Sequence, residues 1–140
     1  MKKIFIASFI CMIAVCVSCA KNDQPINPND LPAAAKQFLN KYFSTYSISY
    51  VERDHNSYEV TLNNGYGIDF DKSGNWTSVD CKQDEIPSGI VPAQIANYVS
   101  SNYTGCFIVD IEHNRGYDVE LNNGLDLEFD KDGKFVRIDD

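Results

Sequence analysis

Six carboxylates carry the most suggestive chemistry in this chain. Glu59, Asp69, Asp118, Glu120, Asp126 and Glu128 lie in short segments where apolar and polar residues alternate. In an extended strand every second side chain shares a face, so these acids stand together on the polar one. Such a face attracts a basic protein surface, or a divalent cation such as calcium, which prefers carboxylate oxygens. A solvated acidic face with no ligand is the simpler reading of the same residues.

Other candidates are weaker. Asp71-Lys72-Ser73-Gly74 and Asp130-Lys131-Asp132-Gly133 begin like calcium loops but lack a third ligand before the Gly and a distal Glu. A hairpin turn demands the same Gly and short polar residues. His55 and His113 stand among polar residues, as solvated loop histidines do. Tyr66 falls at a turn and Trp76 on the last strand of its copy, a candidate sheet edge, where aromatics serve either the core or a recognition surface. No Gly-x-Ser-x-Gly elbow, Gly-rich phosphate loop or His-Glu-x-x-His is present in the sequence. The paired acids lie on an open face, so an enzyme is not expected and no cofactor is implied beyond calcium as an alternative.

The chain opens with Met1-Lys2-Lys3 and an apolar run from Ile4 to Val17, the n- and h-regions of an export signal. The run is too short to cross a bilayer. It ends in Val17-Ser18-Cys19-Ala20, a small residue before a cysteine, as in bacterial lipoprotein leaders. Residues 1–18 are therefore read as a signal peptide and Cys19 as the lipidated N-terminus, placing the protein in the cell envelope. Membrane contact is expected only through this anchor. Residues 19–30, polar and containing two prolines, read as a flexible tether. The sequence has 20 acidic and 12 basic side chains, a formal charge of −8. This excludes a nucleic-acid footprint and favours an envelope partner with a basic surface. Of the five cysteines, Cys81 and Cys106 remain beyond the leader and anchor. An oxidising compartment invites a bridge between them, which spacing alone leaves open.

The elements that must position the acids come from an internal repeat. Tyr58-Glu59-Val60-Thr61-Leu62-Asn63-Asn64-Gly65 matches Tyr117-Asp118-Val119-Glu120-Leu121-Asn122-Asn123-Gly124, and Asp69-Phe70-Asp71-Lys72-Ser73-Gly74 matches Glu128-Phe129-Asp130-Lys131-Asp132-Gly133. Upstream, Leu31-Pro32-Ala33 matches Val91-Pro92-Ala93, with one residue gained or lost between. Each copy starts with a proline suited to a helix N-terminus. Ala35, Phe38, Leu39, Tyr42 and Phe43 then recur at helical spacing, as do Ile95, Tyr98, Val99 and Tyr103. Period-two alternation follows, the mark of a sheet with one buried face.

Register follows from keeping apolar residues opposite one another. A three-residue loop, Asn122-Asn123-Gly124, sets Leu121 opposite Leu125 and Tyr117 opposite Phe129. Glu120 then faces Asp126, Asp118 faces Glu128, and Glu59 faces Asp69. Phe70 faces Trp76 and Phe129 faces Phe135. Arg137 lands on the apolar face unless a bulge intervenes. The expected fold is α+β: residues 31–85 and 86–140 each form a helix followed by a four-stranded antiparallel sheet. Both helices pack on one face of a combined eight-stranded sheet.

The motif Tyr-x-Val-x-Leu-x-Asn-Gly, then Phe-Asp-x-x-Gly-x-Trp or Phe, in tandem behind a lipoprotein signal, resembles the PepSY-like, beta-lactamase-inhibitor-like family of Bacteroides-type bacteria. The resemblance spans about residues 31–139. It implies a tandem α+β fold like that of beta-lactamase inhibitory proteins. It supplies no catalytic residues, and fold alone does not make the chain an inhibitor.

Overall fold

The structure is a computed structural model that describes residues 23–139. The leader and Cys19 lie outside the described residues. Pro32 and Pro92, both with φ −53°, lead into two ten-residue helices, α1 (Ala33–Tyr42) and α2 (Ala93–Asn102). Each helix buries its predicted stripe: Ala35 and Leu39 on α1, Ile95 and Val99 on α2. After α1 come β2 (Ile48–Arg53), β3 (Ser57–Leu62), β4 (Gly67–Asp71) and β5 (Trp76–Asp80). After α2 come β6 (Ile108–His113), β7 (Tyr117–Leu121), β8 (Asp126–Phe129) and β9 (Phe135–Asp139).

The two four-stranded units do not merely abut. β5 pairs with β6, and all strands form one antiparallel sheet in sequence order. The sheet has nine strands rather than eight, because Gln24–Pro25 forms β1 against the edge of β2. The segment expected to be a loose tether is thus ordered from Gln24 onward. Ile26 donates its N–H to the carbonyl of Val51 at 3.1 Å and packs against the core. A 3-10 turn over Pro28–Asp30 then delivers the buried Leu31. Polar composition hid this, since one apolar anchor and a two-residue strand carry no periodicity.

The core is a single cluster between the helices and one face of the sheet. Phe70, Phe129, Ile68, Ile111, Leu121 and Val79 are essentially inaccessible there. Tyr66 is buried among them, with its hydroxyl donating to Asp84 at 2.7 Å. Trp76 is half-buried against Phe38 and His113.

The hairpins adopt the expected registers. Tyr117 pairs with Phe129, Val119 with Leu127, and the Leu121 N–H donates to the Leu125 carbonyl at 2.9 Å. Gly124 takes φ +85°, the left-handed position that closes a three-residue loop. A bulge between Glu128 and Phe129 lets Phe129 pair with Phe135 while Glu128 pairs with Arg137. The bulge moves Arg137 off the apolar face.

Candidate functional site

The polar face of the sheet carries two rows of side chains running straight across the strands. One row reads Glu52, Glu59, Asp69, Ser78, Glu112, Asp118, Glu128, Arg137. The other reads Gly67, Asp80, Asp110, Glu120, Asp126, Asp139. Neighbouring strands lie about 4.8 Å apart, so each acid has a like charge close beside it. The six carboxylates singled out in the sequence all belong to these rows. Glu59 opposes Asp69, Asp118 opposes Glu128, and Glu120 opposes Asp126.

Five further acids complete the face: Glu52, Asp80, Asp110, Glu112 and Asp139. Three of them line the β5–β6 seam between repeats, which has no hairpin turn to set its register. A bulge between Ile108 and Asp110 also breaks the alternation of β6. Equivalence with Glu52, two residues after Tyr50 in the first repeat, was the available signal for Glu112.

Across β5 to β9 the face forms a hollow of about 500 Å³. Asp80, Asp110, Glu120, Asp126 and Asp139 line it. Val109 is buried but stands apart from the main core, as a residue of the β6 bulge. Two cations border this ground. Lys82 Nζ lies 2.6 Å from Asp80 Oδ2, and Arg137 Nε lies 2.7 Å from Glu128 Oε2.

The crowding shows in the acidities. Burial, then Asp80, Glu120 and Glu112, pushes the Asp110 carboxyl up to about 7, with Lys82 opposing. Burial, then Glu59, Glu112 and Asp80, pushes Asp69 up to about 6. Asp118, Glu120 and Asp126 are raised for the same two reasons, burial first and neighbouring carboxylates second.

The turn acids do something else. Asp71 Oδ1 accepts from the N–H groups of Ser73 at 2.8 Å and Asn75 at 2.9 Å, and its Oδ2 accepts from Asn75 Nδ2 at 3.0 Å. These bonds, that to the Asn75 side chain foremost, hold its pKa below the usual carboxylate range. Asp130 Oδ1 accepts from Asp132 and Lys134 in the same way, both at 2.9 Å. Both are turn-closing side chains. Among the described residues, no three His, Cys, Asp or Glu side chains converge closely enough to hold a metal ion. His113 stacks on Tyr117 with ring centroids 4.5 Å apart, and its strand position matches that of Arg53, which lies over Tyr58.

The Cys81–Cys106 bridge considered from the sequence does not form: both thiols are free. Cys81 is buried at the end of β5, its N–H held by the Val109 carbonyl at 2.9 Å. Cys106 is tied instead to the last turn of α2 through the Tyr103 carbonyl at 3.0 Å. Burial and the acids around it push the Cys81 thiol up to about 12, so it is unreactive.

An open antiparallel sheet with both helices on one face and an acidic opposite face defines a class of tandem α+β protein. The chain belongs to the family described as "Putative beta-lactamase-inhibitor-like, PepSY-like", whose profile matches residues 17–68 and 56–137. Solved structures agree. A "putative periplasmic protein of unknown function" from Bacteroides vulgatus is 37% identical with a TM-score of 0.80, covering 84% of this chain and 99% of its own. A second B. vulgatus protein, described as a "putative periplasmic protein from DUF2874 family", is 34% identical with a TM-score of 0.82, covering 86% and 99%. A "putative calcium-regulated periplasmic protein" from Bacteroides thetaiotaomicron is 36% identical with a TM-score of 0.81, again covering 86% and 99%. No curated protein matches.

Proposed function

We propose that this protein is a non-enzymatic binding module of the cell envelope, anchored by a lipid on Cys19, whose open acidic sheet face takes a basic protein partner. The observation that carries this reading is the pair of carboxylate rows. Like charges placed opposite one another across strands destabilise a sheet. Here they recur over most of its width, and both repeats contribute. A cationic partner removes that repulsion and draws the raised carboxyls back to their charged form. The periplasmic description of the similar proteins fits the envelope placement.

The test uses residues 20–140 and a lysine-rich peptide as probe. Calorimetry is expected to find saturable binding that takes up no anion and weakens with salt. A triple variant, Asp110→Asn, Glu120→Gln and Asp126→Asn, is expected to bind at least about tenfold more weakly. Equal binding by the variant sinks the reading.

A second reading has one observation in its favour: a similar protein is described as calcium-regulated. On this reading the acidic face responds to calcium, with ions bridging acids of adjacent strands. Calcium then raises the melting temperature and releases protons from Asp110 and Asp69 near neutral pH. No heat and no change in melting at millimolar calcium disposes of it.

A further inference from the structure

The two edges of the sheet are unlike. At one end β1 is two residues long and contains Pro25, which has no N–H to offer, so that edge is blunted. At the other end β9 runs five residues without a proline and, among the described residues, pairs only with β8. It leaves one side of its backbone ladder open. β9 also carries Val136, 52% exposed, and Ile138, 41% exposed, the two large aliphatic side chains left exposed among the described residues.

The first repeat shows what such an edge is built to receive. Val79 of β5 is the repeat counterpart of Ile138. It is fully buried, because β6 lies alongside and sets Ile111 opposite it. That seam consists of three residue pairs, with Val79–Ile111 at the centre. β9 keeps the same apolar residue, and among the described residues no strand covers it.

We propose that β9 is a self-association edge, on which two copies pair β9 against β9, antiparallel about Ile138. The strand is self-complementary in this register. Ile138 meets Ile138 of the second copy on the helix-covered face. Arg137 and Asp139, which share the acidic face through their pairing with Glu128 and Asp126, each meet the other residue type, giving two ion pairs. Shifting the dyad to Arg137 instead sets two guanidinium groups face to face. The isologous arrangement closes as a dimer rather than growing as a fibre. It also joins the acidic faces of both copies into one surface. Three residue pairs make a small contact, so the dimer is weak and forms at high concentration or where an anchor crowds copies together.

Sedimentation equilibrium on residues 20–140, taken to millimolar concentration, is expected to show reversible dimerisation. Arg137→Asp places like charges opposite one another and is expected to weaken it about tenfold or more. The swap Arg137→Asp with Asp139→Arg restores the pairing and is expected to recover the dimer. Circular dichroism confirms that each variant stays folded. In a Cys106→Ser background, Ile138→Cys is expected to cross-link on oxidation, whereas Tyr50→Cys, near the opposite edge, is not. A chain that stays monomeric throughout, or a dimer indifferent to Arg137→Asp, overturns the proposal.

Discussion

Asp110 is the most loaded single residue of the sheet. It faces Asp80 on one side and Glu120 on the other, with Glu112 two positions along its own strand. Its carboxyl rises from 3.8 to about 7. Between those values the folded chain holds a proton that the unfolded chain has lost, so stability falls as pH rises through this window. The contribution is fully present near pH 4 and gone above about 7. Asp69 acts in the same direction up to about 6. Asp71, whose acidity is strengthened, acts the opposite way at lower pH. Asp110→Asn is therefore expected to stabilise the fold at pH 8 by about 1–2 kcal/mol, less than the full shift implies because the carboxyl keeps some contact with water that screens it. The gain should shrink toward zero near pH 4, as urea denaturation at the two pH values will show. A variant less stable than the parent at pH 8 refutes the repulsion. Asp110 itself was not legible in the sequence. Glu120 and Asp126 were, because a glycine turn fixes their hairpin, whereas the seam beside Asp110 is non-local and bulged at Val109.

The tight turns couple the sheet to the helices. Gly74 closes the β4–β5 hairpin at φ +89°, and a Cβ there would lie 2.8 Å from Pro32 Cβ and 2.9 Å from the Ala35 backbone nitrogen. The turn therefore seats directly on the first turn of α1. Gly65 closes the β3–β4 hairpin at a nearly identical φ of +90° but faces open space. The pair separates two costs. Gly65→Ala is expected to lose about 1 kcal/mol from left-handed strain alone. Gly74→Ala adds the steric clash and is expected to lose about 2 kcal/mol more. Comparable losses at both positions in thermal or urea denaturation contradict the seating of the turn on α1. The requirement for both glycines was readable from the Asn-Gly and Lys-Ser-Gly turns, and so was the alternation of β3, β4, β7 and β8. The strand β1 was not, since Gln24–Pro25 makes no pattern and Pro argues against a strand. Its pairing is dictated by Ile26 and Leu31 reaching the core from outside.

At the scale of the molecule, two copies of one unit make a single sheet, and the seam between them decides whether either copy stands alone. Val79 and Cys81 at the end of the first repeat are wholly inaccessible, and Ile111 opposite Val79 is equally so. The connecting segment adds Ile86 and Ile90 to the same core, with the Ile86 N–H bonded to the Ile108 carbonyl at 2.9 Å. Cutting there strips cover from both halves. A four-stranded sheet with one short helix is at the lower limit of what a hydrophobic core stabilises. Repeat units of this kind gain their stability from the neighbouring interface. The whole chain is thus expected to unfold in one cooperative transition, with intrinsic fluorescence from Trp76 in the first repeat and far-ultraviolet circular dichroism from both repeats coinciding. A fragment ending at residue 88 is expected to lack cooperative unfolding, and adding the fragment that starts at residue 84 should restore some of it by reforming the β5–β6 pairing. Two separated transitions, or a first repeat that folds alone with the parent's stability, mean that the sheet is two domains in contact. In that case the acidic rows are two independent faces, and partner binding should survive in either half.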